Sequence, residues 1–331
     1  FLCAQRNWIL LAPLGLSDIN TANHFSQASL DAVLALIDTW LDFDKNRIYT
    51  VGFSMGGSNA VSWAMRRQDP DSYRVAAVID HTGPMDQVRV FNDSAPQIQG
   101  YLANSWHFDG TPATNPFAFD RVSPFRRLGT TADPSKAPVS NLAGHIPFYV
   151  HYNPNDSQSE LVTDTQALIS YLQSKGAKLK LSTGGGPGEH AWTTMDFDDA
   201  LDWAGRFSLP ADPPTAELFA DGEKHWLSTE VRVKSTDTIA RYGYTATTSM
   251  NELDVAVMAN LQVLAMDLAR LGLDVLAPLG MSTSSNATGI QYVLEGYEFP
   301  PTAVTGFPLP PAWVHDPATG ELTITPQSGF L

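Results

Sequence analysis

The chain has 331 residues, of which 43% are hydrophobic and 17% charged, a composition that favours a globular protein with a sizeable core and two domains. Its 20 basic and 35 acidic residues give a formal net charge of −15, which disfavours nucleic acids and anionic membranes as partners. No apolar run is long enough to span a bilayer, and the single cysteine, Cys3, excludes a disulfide framework and a cysteine-based metal cluster.

The first two thirds of the chain alternate apolar strands with amphipathic helices. The predicted strands are 7–13, 48–51, 74–80, 147–152 and 177–183, and the predicted helices are 25–43, 59–67, 160–174 and 195–207. This alternation is typical of an α/β fold with a parallel sheet covered by helices on both faces. It stops over 82–144, a stretch rich in proline, aromatic residues and asparagine that is too long for an ordinary loop. We expect a cap-like insertion there, lying over the strand ends and packed onto the sheet by its aromatic side chains.

A proline-rich break over 209–214 separates this region from a C-terminal part of different character. We therefore predict a catalytic domain over 1–209 and a second domain over 215–331. Strand-like alternation at 227–234, 239–248 and 289–297, and a hairpin-like pattern at 313–324, predict an all-β, sandwich-like domain. The apolar residues of 253–271 keep helical spacing, but we favour strands because the neighbouring segments are strands.

The motif Gly52-Phe53-Ser54-Met55-Gly56 joins a predicted strand to a predicted helix. In that context the motif indicates a nucleophile elbow, in which Ser54 stands clear of the sheet on a strained turn. We expect Gly52 and Gly56 to lack the Cβ atoms that would clash where strand and helix approach. The Met55 N–H at the helix start would stabilise an oxyanion. The alternative interpretation is a glycine-rich turn in an ordinary α/β protein.

A serine nucleophile needs a base to take its proton, and a carboxylate to orient that base. The predicted strand 147–152 leads directly to Asp156, and the next strand leads through a glycine-rich loop to His190. We therefore predict Asp156 as the acid and His190 as the base. Asp80 and Asp86, which follow an earlier strand, are alternative acids.

Together these motifs resemble the α/β-hydrolase superfamily over roughly residues 7–208. The segments that carry the resemblance are 52–57, 153–156 and 188–192. The chain looks most like the esterase and polyhydroxyalkanoate-depolymerase branch, which grades into prolyl-oligopeptidase-like hydrolases, because 110–124 is similar to a segment found before the acid-bearing strand in that group. The resemblance implies a Ser-His-Asp hydrolase, and no residue pattern indicates a metal or cofactor.

Two features depart from the superfamily pattern. The first oxyanion donor usually comes from a His-Gly-type loop, and none precedes Trp8 here. Either N-terminal strands are missing from this chain or another loop substitutes, with Leu14-Gly15-Leu16 as the candidate. In addition, Asn153-Pro154-Asn155-Asp156 stands where the superfamily more often has Gly-x-x-Asp. The C-terminal domain resembles β-sandwich appendages of secreted bacterial hydrolases, which implies a secreted or periplasmic location.

The sequence therefore predicts a serine carboxylic-ester hydrolase acting on small-molecule or polymeric esters, polyesters included. A serine peptidase on the same fold is one alternative, and cleavage of peptide anilides without cleavage of esters would favour it. A non-catalytic binding module that has kept the fold is the other. Failure of a fluorophosphonate to label Ser54 would favour that interpretation.

Overall fold

The computed structural model describes residues 2–13, 21–285, 289–297, 312–316 and 321–325, with backbone alone for Ser285, 312–316 and 321–325. The chain divides into two compact units. The first contains Phe1–Met65 and Arg74–Pro210, and the second contains Arg66–Tyr73 and Ala211–Leu331. Within the described ranges, no helix is both long and apolar enough to cross a membrane.

The first unit combines helices with short strands. Its helices are α1 (Leu2–Gln5), α2 (His24–Asp38), α3 (Met55–Arg66), α4 (Gln87–Asp93), α5 (Pro96–Leu102), α6 (Pro116–Asp120), α7 (Ser159–Ser174) and α8 (Phe197–Ala204). Its strands are β1 (Tyr49–Phe53), β2 (Ala77–His81), β3 (Arg127–Leu128), β4 (Thr131–Ala132), β5 (Phe148–Tyr152) and β6 (Leu179–Thr183). Short 3-10 helices lie at Lys45–Arg47, Pro134–Lys136, Pro138–Asn141 and Trp192–Thr194.

The main sheet of this unit has the order β1-β2-β5-β6, and every neighbouring pair is parallel. All five residues of β2 are buried, as expected for a central strand of a parallel sheet. Helix α8 packs on one face, where Leu201 and Ala204 share an apolar cluster with Ile79 and Tyr149. The predicted α/β class is therefore confirmed. Because the strands are parallel, their carboxyl ends meet at one edge of the sheet.

The strand predicted over 7–13 is wrong. Residues 8–13 form no ladder with any described strand, and Ile9 and Leu10 are 51% and 66% exposed. Only Trp8 packs inward, with its ring 4.9 Å from that of Tyr49. An apolar run becomes a strand only where a partner satisfies its backbone groups, and the described part of the chain offers none here.

The 82–144 insertion contains α4, α5, α6 and the β3–β4 hairpin, and it has a small core of its own. Phe108 and Phe119 stack within that core at a ring separation of 4.0 Å, with Phe91 edge-on at 5.6 Å from Phe119. Trp106, in contrast, is 77% exposed. These aromatic side chains therefore pack mainly against one another, rather than onto the sheet as the sequence suggested.

A buried ion cluster ties the insertion to α7. Asp164 of α7 is fully buried and lies 3.1 Å from an Arg89 nitrogen and 3.3 Å from an Arg127 nitrogen. It also accepts the Met85 N–H at 3.0 Å. Burial raises the pKa of Asp164, and the two guanidinium groups oppose that shift. Removing one partner of such a cluster would leave an uncompensated buried charge, at a cost of about 3–5 kcal/mol.

The second unit is built from strands. They are β7 (Thr215–Ala220), β8 (Lys224–Trp226), β9 (Thr229–Val233), β10 (Ala240–Thr247), β11 (Glu252–Ala259), β12 (Leu261–Asp267), β13 (Gly280–Ser285), β14 (Gln291–Glu295), β15 (Ala312–Asp316) and β16 (Glu321–Thr325). One sheet has the order β13-β11-β10-β7 and the other β15-β16-β14-β12-β9-β8. Pairing is antiparallel except for β11 with β13 and β12 with β14.

Both sheets of the second unit contribute to one apolar core, which includes Tyr242 of the first sheet and Trp226 and Leu264 of the second. This arrangement is compatible with the predicted sandwich-like domain. The ambiguous 253–271 segment forms β11 and β12, as favoured from its neighbours. In β11 the apolar residues lie on one face of the strand. Leu253, Val255 and Val257 are buried, and the residues between them are more exposed.

Candidate active site

Ser54 is the single residue between the end of β1 and the start of α3. Its φ of 54° lies in the left-handed region, which a non-glycine residue occupies at a cost of about 1–3 kcal/mol. Hydrogen bonds hold this conformation. The Ser54 N–H donates to the His81 carbonyl at 2.9 Å, and the Ser54 carbonyl accepts N–H groups of Gly57 and Ser58 at 2.9 and 3.2 Å. The turn therefore has the strained strand-to-helix geometry of a nucleophile elbow.

Glycine is required at two places around this turn. A Cβ on Gly52 would lie 1.9 Å from the Gly56 carbonyl oxygen, and a Cβ on Gly57 would lie 2.4 Å from Asp80 Oδ1. A Cβ on Gly56 would meet nothing within 4 Å. The expectation for Gly52 is confirmed, but the one for Gly56 is wrong. The close approach involves the Gly56 backbone, and the second site without room for a side chain is Gly57.

The three predicted side chains converge at the carboxyl edge of the sheet. His190 Nε2 lies 3.0 Å from Ser54 Oγ, and His190 Nδ1 lies 2.8 Å from Asp156 Oδ2. The Asp156 side chain is only 2% exposed, and its other oxygen accepts the Gln158 N–H at 2.8 Å. An ionised carboxylate accepts only, so it holds the proton on Nδ1 and leaves the Nε2 lone pair facing the serine hydroxyl.

Asn153 joins the loop that carries the acid to the loop that carries the base. Its Nδ2 donates to the carbonyls of Gly186 at 2.7 Å and Glu189 at 2.8 Å. The Gly188 N–H donates back to the Asn155 carbonyl at 2.6 Å. Asn153 is buried, and sequence reasoning missed this role. The available signal was the departure from Gly-x-x-Asp, since an asparagine there supplies two donors that glycine lacks.

Thr194, like Asn153, anchors the loop that carries His190. The Thr194 hydroxyl donates to the Ala191 carbonyl at 3.0 Å, so its oxygen accepts from His81 Nε2 at 3.0 Å and His151 Nε2 at 3.3 Å. Nδ1 of His151 then accepts from the Ser182 hydroxyl at 3.1 Å. Burial lowers the pKa of His81 to about 3 and that of His151 to about 4, so both rings are neutral at pH 7.

The alternative acids have other partners. Asp86 caps α4, where it accepts the N–H groups of Val88 and Arg89, each at 3.1 Å, and it also pairs with Arg126 at 2.9 Å. Asp80 is fully buried and accepts the Gly83 N–H at 3.1 Å. Burial raises the pKa of Asp80 to about 7. Among the described residues, Asp156 is the carboxylate hydrogen-bonded to the His190 ring.

One oxyanion donor is available beside the serine. Met55 opens α3, and the first N–H groups of a helix have no intrahelical acceptor and lie at the positive end of its dipole. The Met55 backbone is therefore suited to bind a developing oxyanion. The other candidate, Leu14-Gly15-Leu16, lies outside the described residues.

The first unit thus has an α/β-hydrolase-like arrangement: a parallel sheet, a serine elbow, and serine, aspartate and histidine following β1, β5 and β6 in that order. No protein-family model matches the chain, and no curated protein sequence matches it significantly.

Searches of solved structures find hydrolases of low overall similarity. Acylaminoacyl peptidase of Pyrococcus horikoshii is 15% identical with a TM-score of 0.38, over 53% of this chain and 25% of that one. S-formylglutathione hydrolase of Agrobacterium tumefaciens is 16% identical with a TM-score of 0.35, over 54% and 56%. An esterase B described from Lactobacillus rhamnosis is 16% identical with a TM-score of 0.34, over 51% and 50%. This chain therefore covers between a quarter and about half of the length of these proteins.

Proposed function

We propose that the chain is a serine hydrolase that cleaves carboxylic esters through Ser54, His190 and Asp156. The observation that carries this proposal is the unbroken hydrogen-bond chain from Ser54 Oγ through both nitrogens of His190 to Asp156 Oδ2, at 3.0 and 2.8 Å. Neither bond is needed for the sheet or the helices. The left-handed conformation of Ser54 also supports a chemical role, because the same sharp turn presents its hydroxyl to the His190 ring.

In the proposed reaction, the Ser54 oxygen attacks the ester carbonyl carbon while His190 Nε2 takes the hydroxyl proton. Asp156 holds the ring in position and stabilises the imidazolium that forms. The Met55 N–H binds the oxyanion of the tetrahedral intermediate. His190 then gives the proton to the leaving alcohol, and a water molecule releases the acid from the acyl-enzyme by the same steps.

The test is hydrolysis of 4-nitrophenyl esters by the wild type, by Ser54→Ala and by Ser170→Ala. Ser170 is an exposed serine on α7 whose hydroxyl bonds only a carbonyl of its own helix, so it is a matched control. Ser54→Ala should lose about a thousandfold or more in kcat with the fold retained, and Ser170→Ala should keep wild-type activity. Turnover by Ser54→Ala at the wild-type rate would refute the assignment. Cleavage of peptide 4-nitroanilides in place of esters would show a peptidase instead.

A further inference from the structure

A small cleft lies beside the proposed nucleophile, within the first unit. Its volume is about 140 Å³, and it is walled on one side by the start of α3 and on the other by the insertion helices α4 and α5. Its wall includes Thr21, Met55, Ser58, Gln87, Val90 and Ile98. Met55 directly follows Ser54, so the cleft opens one residue from the nucleophile and borders the residue whose N–H is the oxyanion donor.

The wall of the cleft offers no charge to an ionised guest. No ionisable side chain lines it, and among its polar side-chain atoms Thr21 Oγ1 and Gln87 Oε1 have no hydrogen-bond partner among the described residues, whereas the others bond to neighbouring protein groups. Gln87 Nε2 donates to Ser58 Oγ at 2.7 Å and to the Pro84 carbonyl at 3.3 Å, and the Ser94 hydroxyl donates to the Val90 carbonyl at 2.6 Å. An ionised group would lose its water there without gaining an opposite charge, whereas an apolar group gains by entering.

The position of the cleft indicates which half of the ester it receives. The leaving oxygen must lie near His190 Nε2, which gives it a proton. The Phe53 ring lies 4.6 Å from that of His190 between centroids, and the Trp192 ring lies edge-on to Phe53 at 6.3 Å. None of these residues lines the cleft, whereas Met55 does. The alcohol therefore departs on the histidine side, and the acyl group extends into the cleft.

We propose that this cleft is the acyl site and that it selects short, uncharged acyl groups of up to about six carbons. The size limit follows from volume, because an apolar cavity of about 150 Å³ holds one benzene-sized molecule. Because α4 and α5 form the wall opposite the start of α3, the 82–144 insertion limits the size of the acyl group. This inference rests on the proposed ester hydrolysis, which it narrows to esters of small neutral acids.

The test compares kcat/KM for the 4-nitrophenyl esters of acetic, butanoic, hexanoic, octanoic and dodecanoic acid. The leaving group is constant, so differences report the acyl site. We expect kcat/KM to rise by about fourfold for each methylene that enters the cleft. Beyond the hexanoate it should fall by about tenfold or more, because the extra methylenes have no room. A flat profile, or an optimum at the dodecanoate, would overturn the inference.

Substitutions at Ile98 test whether this cleft is responsible. Ile98→Ala should move the optimum towards the octanoate, and Ile98→Trp should move it towards the acetate. Ile98 is only partly buried, so neither change has to be accommodated deep in a core. Gln97→Ala, an exposed neighbour on α5 that does not line the cleft, is the matched control and should keep the wild-type profile. An unchanged profile in both Ile98 variants would assign the acyl site elsewhere.

Charged acyl groups that cannot cyclise onto the ester complete the test. The 4-nitrophenyl esters of fumaric acid and of trimethylammonioacetic acid carry opposite charges, and their neutral analogues are the esters of (E)-but-2-enoic acid and of 3,3-dimethylbutanoic acid. A common loss of about a hundredfold relative to the neutral analogues would report the neutral wall rather than the net charge of −15. Equal turnover of either charged ester and its neutral analogue would overturn the neutrality of the site. Hydrolysis that depends on Ser54 but shows no such selectivity would refute this inference alone. Absence of hydrolysis of every ester would refute the proposed function and the acyl site with it.

Discussion

Asp80 makes the stability of the protein depend on pH in an unusual direction, and Asp80→Asn should remove that dependence. The carboxyl group is fully buried on β2, where Oδ1 accepts the Gly83 N–H at 3.1 Å and Oδ2 has no partner among the described residues. Burial is the largest cause of a pKa raised from 3.8 to about 7, and the nearby charge of Asp164 adds to it. The group therefore stays protonated well above its ordinary range.

The sign and size of the effect follow from proton linkage. In the unfolded chain Asp80 ionises near pH 4, whereas in the folded chain it keeps its proton to about pH 7. Between these values the folded state binds more protons, so the free energy of unfolding falls as pH rises, by about 1.4 kcal/mol per pH unit. Ionisation of Asp80 therefore lowers the free energy of unfolding by about 4 kcal/mol at pH 8, relative to its value below pH 4. An asparagine keeps the acceptor for Gly83 and cannot ionise.

Urea denaturation monitored by tryptophan fluorescence, between about pH 4 and pH 8, measures this contribution as the difference between Asp80→Asn and the wild type. The variant should match the wild type near pH 4 and exceed it increasingly towards pH 8. Asp42→Asn, at an exposed aspartate, is the control and should show no such growing difference. A difference between Asp80→Asn and the wild type that does not grow with pH would refute the reasoning.

Three further predictions test the acid, the Thr194 anchor and the packing of the serine turn. Asp156→Asn should lower kcat on 4-nitrophenyl butanoate by about 10⁴-fold, because the ring would lose the acceptor that fixes its tautomer; a loss of less than tenfold would contradict this role. Thr194→Val should lower the free energy of unfolding by about 2 kcal/mol, because it leaves two buried histidine N–H groups without an acceptor. Thr194→Ser should restore that stability, and equal stability of all three proteins would argue against the anchor. Gly57→Ala should destabilise by about 1–3 kcal/mol through its contact with Asp80, whereas Gly56→Ala should be tolerated; equal melting temperatures of the two variants would contradict the packing.

The positions of the three proposed catalytic residues could be predicted because they depend on local features that the sequence displays. Ser54 is marked by the glycines around it and by the change from strand to helix. Asp156 and His190 follow strands of a parallel sheet, and such a sheet brings the ends of its strands to one edge. Chain order alone therefore placed them near the serine.

The contacts that support these residues depend on which segments pack together, and the sequence does not display that. A side chain has no room at Gly57 of α3 because Asp80, on β2, lies against it. Asn153 and Thr194 bond to groups more than thirty residues away along the chain. For the same reason, the Ile9 segment looked like a strand although no described strand lies beside it, and the aromatic residues of the insertion formed a core of their own.

The most direct test of the proposed nucleophile is mass spectrometry of the folded protein after treatment with a fluorophosphonate, which detects a covalent adduct on a reactive serine. A serine activated by a histidine base should form one covalent adduct, located by peptide mapping on Ser54 and absent from Ser54→Ala. A folded protein that forms no adduct, or forms it on another residue, would contradict the assignment of Ser54 and His190 as a catalytic pair.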